Sequence, residues 1–164
     1  MPAKYFLKML ACIGLCFISF ASNAETFSVI DPKPISELWL NPGVYSYHFQ
    51  RDKGFNNNNY GLGAEYRYST VGSIMVGGFY NSDRYTSHYV AWHWQPLALG
   101  PVRFGAIAGA IDGYPYMLNG GWFLAVIPTV GIDYKYVGAS LLLVPSYKNR
   151  LHGAISLQLK LRVF

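Results

Sequence analysis

The amino-acid sequence predicts an all-β protein, an eight-stranded antiparallel up-and-down transmembrane β-barrel. Three observations predict it. After residue 38 the side chains alternate with period two, the signature of strands rather than helices. The breaks between alternating runs are by turns long and short, as when loops leave one end of a barrel and tight turns the other. Tyr, Phe and Trp make up 17% of the 164 residues and charged residues only 13%, where a water-soluble domain carries about 25% charged residues. Something other than water is expected to cover much of this surface.

The first 24 residues are read as a leader and not as fold. "MPAKYFLKMLACIGLCFISFASNA" places Lys4 and Lys8 before an apolar run from Met9 to Phe20, then Ser22-Asn23-Ala24. A positive start, a short apolar core and small residues at the cleavage position make a secretory signal peptide, residues 1–24. The run is shorter than the roughly 18 residues that a spanning helix needs. Both cysteines, Cys12 and Cys16, lie in this leader, so disulfides and thiol catalysis are excluded for the mature chain. Of the 13 Lys and Arg residues, Lys4 and Lys8 also leave with it, so eleven face eight Asp and Glu. That mild and scattered balance excludes a nucleic-acid partner. Residues 25–164 contain no linker and form one barrel domain.

Eight strands are predicted near 38–49, 59–69, 72–81, 85–96, 101–111, 122–133, 137–145 and 152–164. In "VYSYHF", Tyr45, Tyr47 and Phe49 share one face and Val44, Ser46 and His48 the other. In "YGLGAEYRY", Tyr60, Leu62, Ala64, Tyr66 and Tyr68 oppose Gly61, Gly63, Glu65 and Arg67. The last run sets Ile155, Leu157, Leu159, Leu161 and Val163 against Ser156, Gln158, Lys160 and Arg162. Phe164 follows with the parity of Arg162, leaving Val163 the outward place. Polar breaks fall at "QRDKGFNNNN", "NSDR", "DGYPYMLNGG" and "SYKNRL", tighter turns at "STVG", "PLALGP" and "YKYVG".

A soluble sandwich or lipocalin-like barrel would also alternate. Two features argue against it. One face of each strand carries large apolar residues and almost no charge, and aromatics (Tyr60, Tyr68, Tyr80, Tyr85, Trp92, Trp94, Tyr134, Tyr136) gather near strand ends as interfacial girdles do. Closed barrels satisfy every backbone group in lipid. The bacterial outer membrane is the expected location, and a monomer the expected state.

Eight strands leave a narrow interior, filled by side chains or one small ligand. Glu65, Arg67 and His93 point inward and are read as a structural polar network. His48 differs in position, near the end of the first strand and before the long "QRDKGFNNNN" break. Asn81 and Ser82 end the third strand on the same side of an up-and-down barrel. A histidine, a hydroxyl and an amide or carboxylate there suit acyl transfer, with the imidazole taking a proton from an acceptor hydroxyl and its partner orienting the ring. No carboxylate–histidine cluster has metal-ligand spacing. Neither a metal nor another cofactor is expected.

From about Pro42 to Phe164 the chain resembles the outer-membrane lipid A palmitoyltransferases. The resemblance rests on "PGVYSYHF" with His48 late in the first strand, "GGFYNSDR" with Asn81-Ser82 ending the third, and "YVAWHWQPL" in the next. It also rests on Pro128 in "LAVIPTVGIDY" and Pro145 in "LLLVPSYKNR". The resemblance implies transfer of an acyl chain from membrane phospholipid to the lipid A of lipopolysaccharide. His48 would be the base, Ser82 a polar stabiliser and Asn81 the ring-orienting residue. Pro128 and Pro145 would form a lateral gate, since proline gives the ladder no hydrogen bond. The interior beneath, lined by small residues such as Gly61, Gly63 and Gly77, would hold the acyl chain.

Three departures stand beside it. Asn81 occupies the place of the family's carboxylate, with Asp83 two residues on as a substitute. The family's N-terminal helix is reduced at best to "PISELW". Pro42 echoes a first-strand proline whose partner on the second strand is missing. The alternative function is a non-catalytic barrel with a lipid-binding or structural role.

Overall fold

The computed structural model describes residues 26–148 and 150–164; the leader read over 1–24 lies outside the described residues. A short strand β1 (Phe27–Val29) precedes eight staves: β2 (Pro34–His48), β3 (Asn58–Ser69), β4 (Gly72–Tyr80), β5 (Thr86–Leu99), β6 (Val102–Ile111), β7 (Phe123–Tyr134), β8 (Val137–Val144) and β9 (Ala154–Arg162). Successive staves pair antiparallel, and β9 pairs back onto β2, with Tyr45 against Leu157 and His48 against Ala154. The sheet is therefore a closed eight-stranded antiparallel barrel.

The period-two pattern fixes which face each stave turns inward. On β3, Tyr60, Leu62, Tyr66 and Tyr68 are exposed, while Gly63, Glu65 and Arg67 are buried. Most large apolar side chains of the other staves also face outward, Leu124 being 84% exposed. Loops 49–57, 81–85, 112–122 and 145–153 leave one end of the barrel, and two-residue turns at 70–71, 100–101 and 135–136 the other.

Two N-terminal expectations change. "PISELW" is not a helical remnant: it opens β2, with Pro34 at its first position, where proline is tolerated, and Pro34 opposite Ser69. Inward-facing Trp39 is buried, and its alternation extends the stave. The second change is the strand β1, which pairs with Leu97–Leu99, the part of β5 that overshoots β4. β5 runs through Pro96 because the ladder to β6 shifts register between Trp94 and Leu97, a bulge that absorbs the missing N–H. From β1 the chain crosses the 70–71 turn, where Thr70 Oγ1 accepts from Lys33 N (2.9 Å) and donates to Asp31 O (2.7 Å).

The interior has three zones. Near the turn end, charged side chains fill the bore. Above them Met75, Ala91, Ile107 and Leu142 pack together, with Tyr89 and Ile127 against them. From there to the loop end runs a cavity of about 130 Å³, walled mainly by apolar side chains.

Candidate active site at the loop end

His48 is the last residue of β2, and its alternation turns the ring inward, where it is buried. Ser82 follows β4 in the 81–85 turn. The two meet across the mouth, His48 Nε2 lying 2.7 Å from Ser82 Oγ. On the other side, His48 Nδ1 lies 2.8 Å from Asn57 Oδ1, in the loop leading into β3. A carbonyl oxygen can only accept, so Asn57 fixes the tautomer with Nδ1–H donating. Nε2 is then the acceptor, and Ser82 O–H donates to it. Hydroxyl, imidazole and amide form a connected relay, the geometry of a nucleophile, its base and the group that orients the base.

Asn81 does not take the expected role. Its side chain is fully buried and turned away from His48. Its Nδ2 donates to Ser87 Oγ (2.9 Å) and Gly113 O (2.8 Å), and its Oδ1 accepts from Asp83 N (2.9 Å) and Tyr85 N (3.0 Å). This side chain builds the turn that presents Ser82 and ties it to the 112–122 loop. The amide is required here: a carboxylate could accept from the two N–H groups but could not donate to Gly113 O. Asn81→Asp is expected to lower stability by about 1–3 kcal/mol, the effect of leaving one buried carbonyl unpaired. Urea unfolding in detergent micelles reads it.

Asp83 and His152 border the same cavity mouth. Phe55 joins the two imidazoles, its ring centroid 5.0 Å from His48 and 4.3 Å from His152. Burial pushes the Asp83 carboxyl above its ordinary 3.8, while His152 and then His48 draw it down less strongly. Tyr114, in the 112–122 loop, is pushed far up, first by burial and then by Asp83, so it stays an O–H donor at the mouth. Because the folded state holds the Asp83 proton more tightly than the unfolded chain, its contribution to stability is full below pH 3.8 and lost as pH rises through the raised value. Asp83→Asn is expected to flatten that acid-side fall, measured as thermal unfolding midpoints across roughly pH 3 to 6.

Below the relay, the cavity wall carries Phe79, Ile111, Phe123, Ala125 and Val144. Its glycines are Gly43, Gly78 and Gly109, and not Gly61, Gly63 and Gly77. Gly63 and Gly77 instead seat the phenol of Tyr89, whose oxygen would collide with a Cβ at either position; Gly61 lies equally tight against Phe79. Outside the wall, His48 and Asn57 border a second hollow of about 380 Å³ with Tyr45, Tyr47 and Arg51. The imidazole thus stands between an apolar interior and an outward-facing recess.

Pro128 and Pro145 stand at one seam. The β7–β8 ladder runs from Tyr134–Val137 to Thr129–Leu142 and stops there. β7 nevertheless continues to Phe123 on β6, and β8 to Val144 on β9. Pro128 is the first residue beyond the last rung and Pro145 the first after β8, so neither supplies an N–H to close it. The unzipped stretch includes Ile127 and Val144, which line the cavity.

Glu65, Arg67 and His93 come together at the opposite end, far from the relay. Glu65 accepts from Ser73 Oγ (2.7 Å) and Lys160 Nζ (3.2 Å), with Arg67 at 3.7 Å and His93 Nδ1 at 3.5 Å. Arg67 also bonds Asp133 (2.8 Å), and Glu37 takes Arg162 (2.7 Å) and the Trp39 indole N–H (2.9 Å). Lys160 and Arg162 were readable from their parity with Gln158. Nothing local distinguished Asn57 from its three asparagine neighbours, and His152 carried no motif.

No family model and no curated protein matches the chain.

Proposed function

We propose that this barrel spans the bacterial outer membrane and transfers an acyl chain from a phospholipid to a lipid hydroxyl, with lipid A as the acceptor. Kinship with the lipid A palmitoyltransferases is part of this reading. The observation that carries it is the Ser82–His48–Asn57 relay at the mouth of an apolar cavity. Membrane placement is supported by the belt of outward-facing Tyr, Leu, Val and Trp side chains, a surface that water does not tolerate over such an area.

The donor's acyl chain enters the cavity through the unzipped β7–β8 seam, leaving its ester at Ser82. His48 Nε2 takes the Ser82 proton as Oγ attacks the ester carbonyl. Asn57 keeps Nδ1–H pointed away from the reaction, and the nearby Asp83 carboxylate offsets the imidazolium charge. The tetrahedral oxyanion collapses and expels the lysophospholipid alkoxide, which takes the proton from Nε2. Ser82 now holds the acyl chain as an ester. An acceptor hydroxyl, arriving from the outer hollow beside Arg51, gives its proton to Nε2 and attacks that ester. The acyl chain passes to the acceptor and the proton returns to Ser82 Oγ. Neutral amides replace a carboxylate as ring-orienting groups in other nucleophile–histidine systems, so Asn57 suffices for orientation.

Mass spectrometry of outer-membrane lipids tests the proposal, comparing cells that express the wild type or His48→Ala. A newly acylated lipid A that disappears with His48→Ala supports it. An unchanged lipid profile, with folding verified by heat-modifiable gel mobility, replaces it with a non-catalytic lipid-binding barrel.

A further inference from the structure

Asn59 is only 1% exposed and borders the cavity below the relay. Its Nδ2 faces two carbonyls, Tyr80 O at 2.9 Å and Asn56 O at 3.4 Å. Only an amide nitrogen can donate to both, which identifies the remaining atom as Oδ1. That oxygen is buried and accepts no hydrogen bond. The Tyr89 hydroxyl lies deeper along the same cavity, beside the Asn41 side-chain amide. The wall also carries the Ser46–Ser156 hydroxyl pair, 2.7 Å apart. One side of the cavity is therefore polar, and the Asn59 acceptor stands where a plain hydrocarbon chain would leave it unpaired.

We infer that the acyl chain this cavity selects carries a hydroxyl close to its ester end, a 3-hydroxyacyl chain in place of a plain saturated one. The inference rests on the acyl-transfer reading for the position of the ester, at Ser82. Asn59 Nδ2 is bonded to Tyr80 O, two residues before Ser82, so Asn59 lies close below the position of the ester. A hydroxyl two carbons below the ester carbonyl meets Asn59 Oδ1 there and donates to it. A plain chain displaces any other donor and leaves the acceptor unpaired. Sites built to bond a substrate hydroxyl discriminate strongly against the analogue that lacks it. The cavity's apolar side, with Ile111, Phe123 and Val144, takes the rest of the chain in either case.

The test uses the folded protein in detergent micelles with two probes, p-nitrophenyl dodecanoate and p-nitrophenyl 3-hydroxydodecanoate. The expected result is a kcat/KM about tenfold higher for the hydroxylated ester, the discrimination that one buried unpaired acceptor supplies. Asn59→Leu is expected to bring the ratio to about one. Because Asn59 also holds the Tyr80 and Asn56 carbonyls, a second measurement does not touch it. In Ser82→Ala, quenching of tryptophan fluorescence is expected to show about tenfold tighter binding of the hydroxylated ester. Equal turnover of the two esters by the wild type overturns the chain preference and leaves acyl transfer standing. Absent turnover of both, with tighter binding of the hydroxylated ester in Ser82→Ala, keeps the chain preference and removes the transfer chemistry. Equal binding in that variant also overturns the preference.

Discussion

Ser82→Ala is expected to lower the rate of acyl transfer by about a thousandfold or more, with the barrel intact. Its hydroxyl is 2.7 Å from His48 Nε2, and removing the proposed nucleophile of a connected relay leaves only binding and electrostatic assistance. His48→Ala is expected to cost about as much, and the double variant little more, because residues acting as one unit are far from additive. Asn57→Ala is expected to fall between, by roughly two to four orders of magnitude, since it removes the tautomer and orientation of the ring but neither reacting group. Steady-state transfer from a radiolabelled phospholipid in mixed micelles measures all four. One pattern decides against Ser82 as nucleophile: near-normal turnover by Ser82→Ala with none by His48→Ala. The imidazole would then act directly on the acceptor hydroxyl, with Ser82 only a polar neighbour.

Glu65→Leu is expected to destabilise the barrel by about 3–5 kcal/mol, the penalty for removing one partner of a buried charge network. Glu65 is the anion nearest Lys160, and both side chains are 2% exposed. Without it, Lys160 keeps Asp133 at 3.3 Å, and Arg67 keeps Asp133 and Glu37. Three buried or half-buried cations, Arg67, Lys160 and Arg162, would then share two carboxylates around the Trp39 indole. Replacing the central pair together, Glu65→Leu with Lys160→Met, is expected to recover most of the loss, because an apolar pair needs no compensation. Urea unfolding followed by tryptophan emission reads both variants. A double variant less stable than Glu65→Leu alone would mean that Lys160 is held by Asp133 and not by Glu65. The lipid chemistry is expected to survive in either variant, since the network lies at the turn end and the relay at the loop end.

The barrel was legible because its information is local. Alternation in "YGLGAEYRY" states which face of β3 is buried without reference to any other strand. Interior charges were half legible for the same reason: parity placed Glu65, Arg67, Lys160 and Arg162 inside. Their partnership was not legible, since Glu65 and Lys160 meet across 95 residues of chain. Parity also explains the missed N-terminal extension. "PISELW" is short and contains residues common to helix and strand, and only its ladder to β3 and β9 decides between them.

The run Asn56-Asn57-Asn58-Asn59 marks the boundary between the two kinds of knowledge. The sequence by itself determined that this polar stretch ends a loop and enters a strand. It also determined that His48 and Ser82 come to the same end of an antiparallel barrel, because strand direction alternates. Four chemically identical side chains cannot be told apart by composition or spacing. Tertiary structure separates them: Asn56 ties the loop to Asn81 O, Asn57 reaches the His48 ring, Asn58 is exposed, and Asn59 is buried against the cavity. The same closure turned Asn81 inward to Gly113 and left the ring to a different asparagine. Hydrogen bonds between side chains depend on positions set by the closed sheet to within a few tenths of an ångström. No local pattern carries distances of that kind.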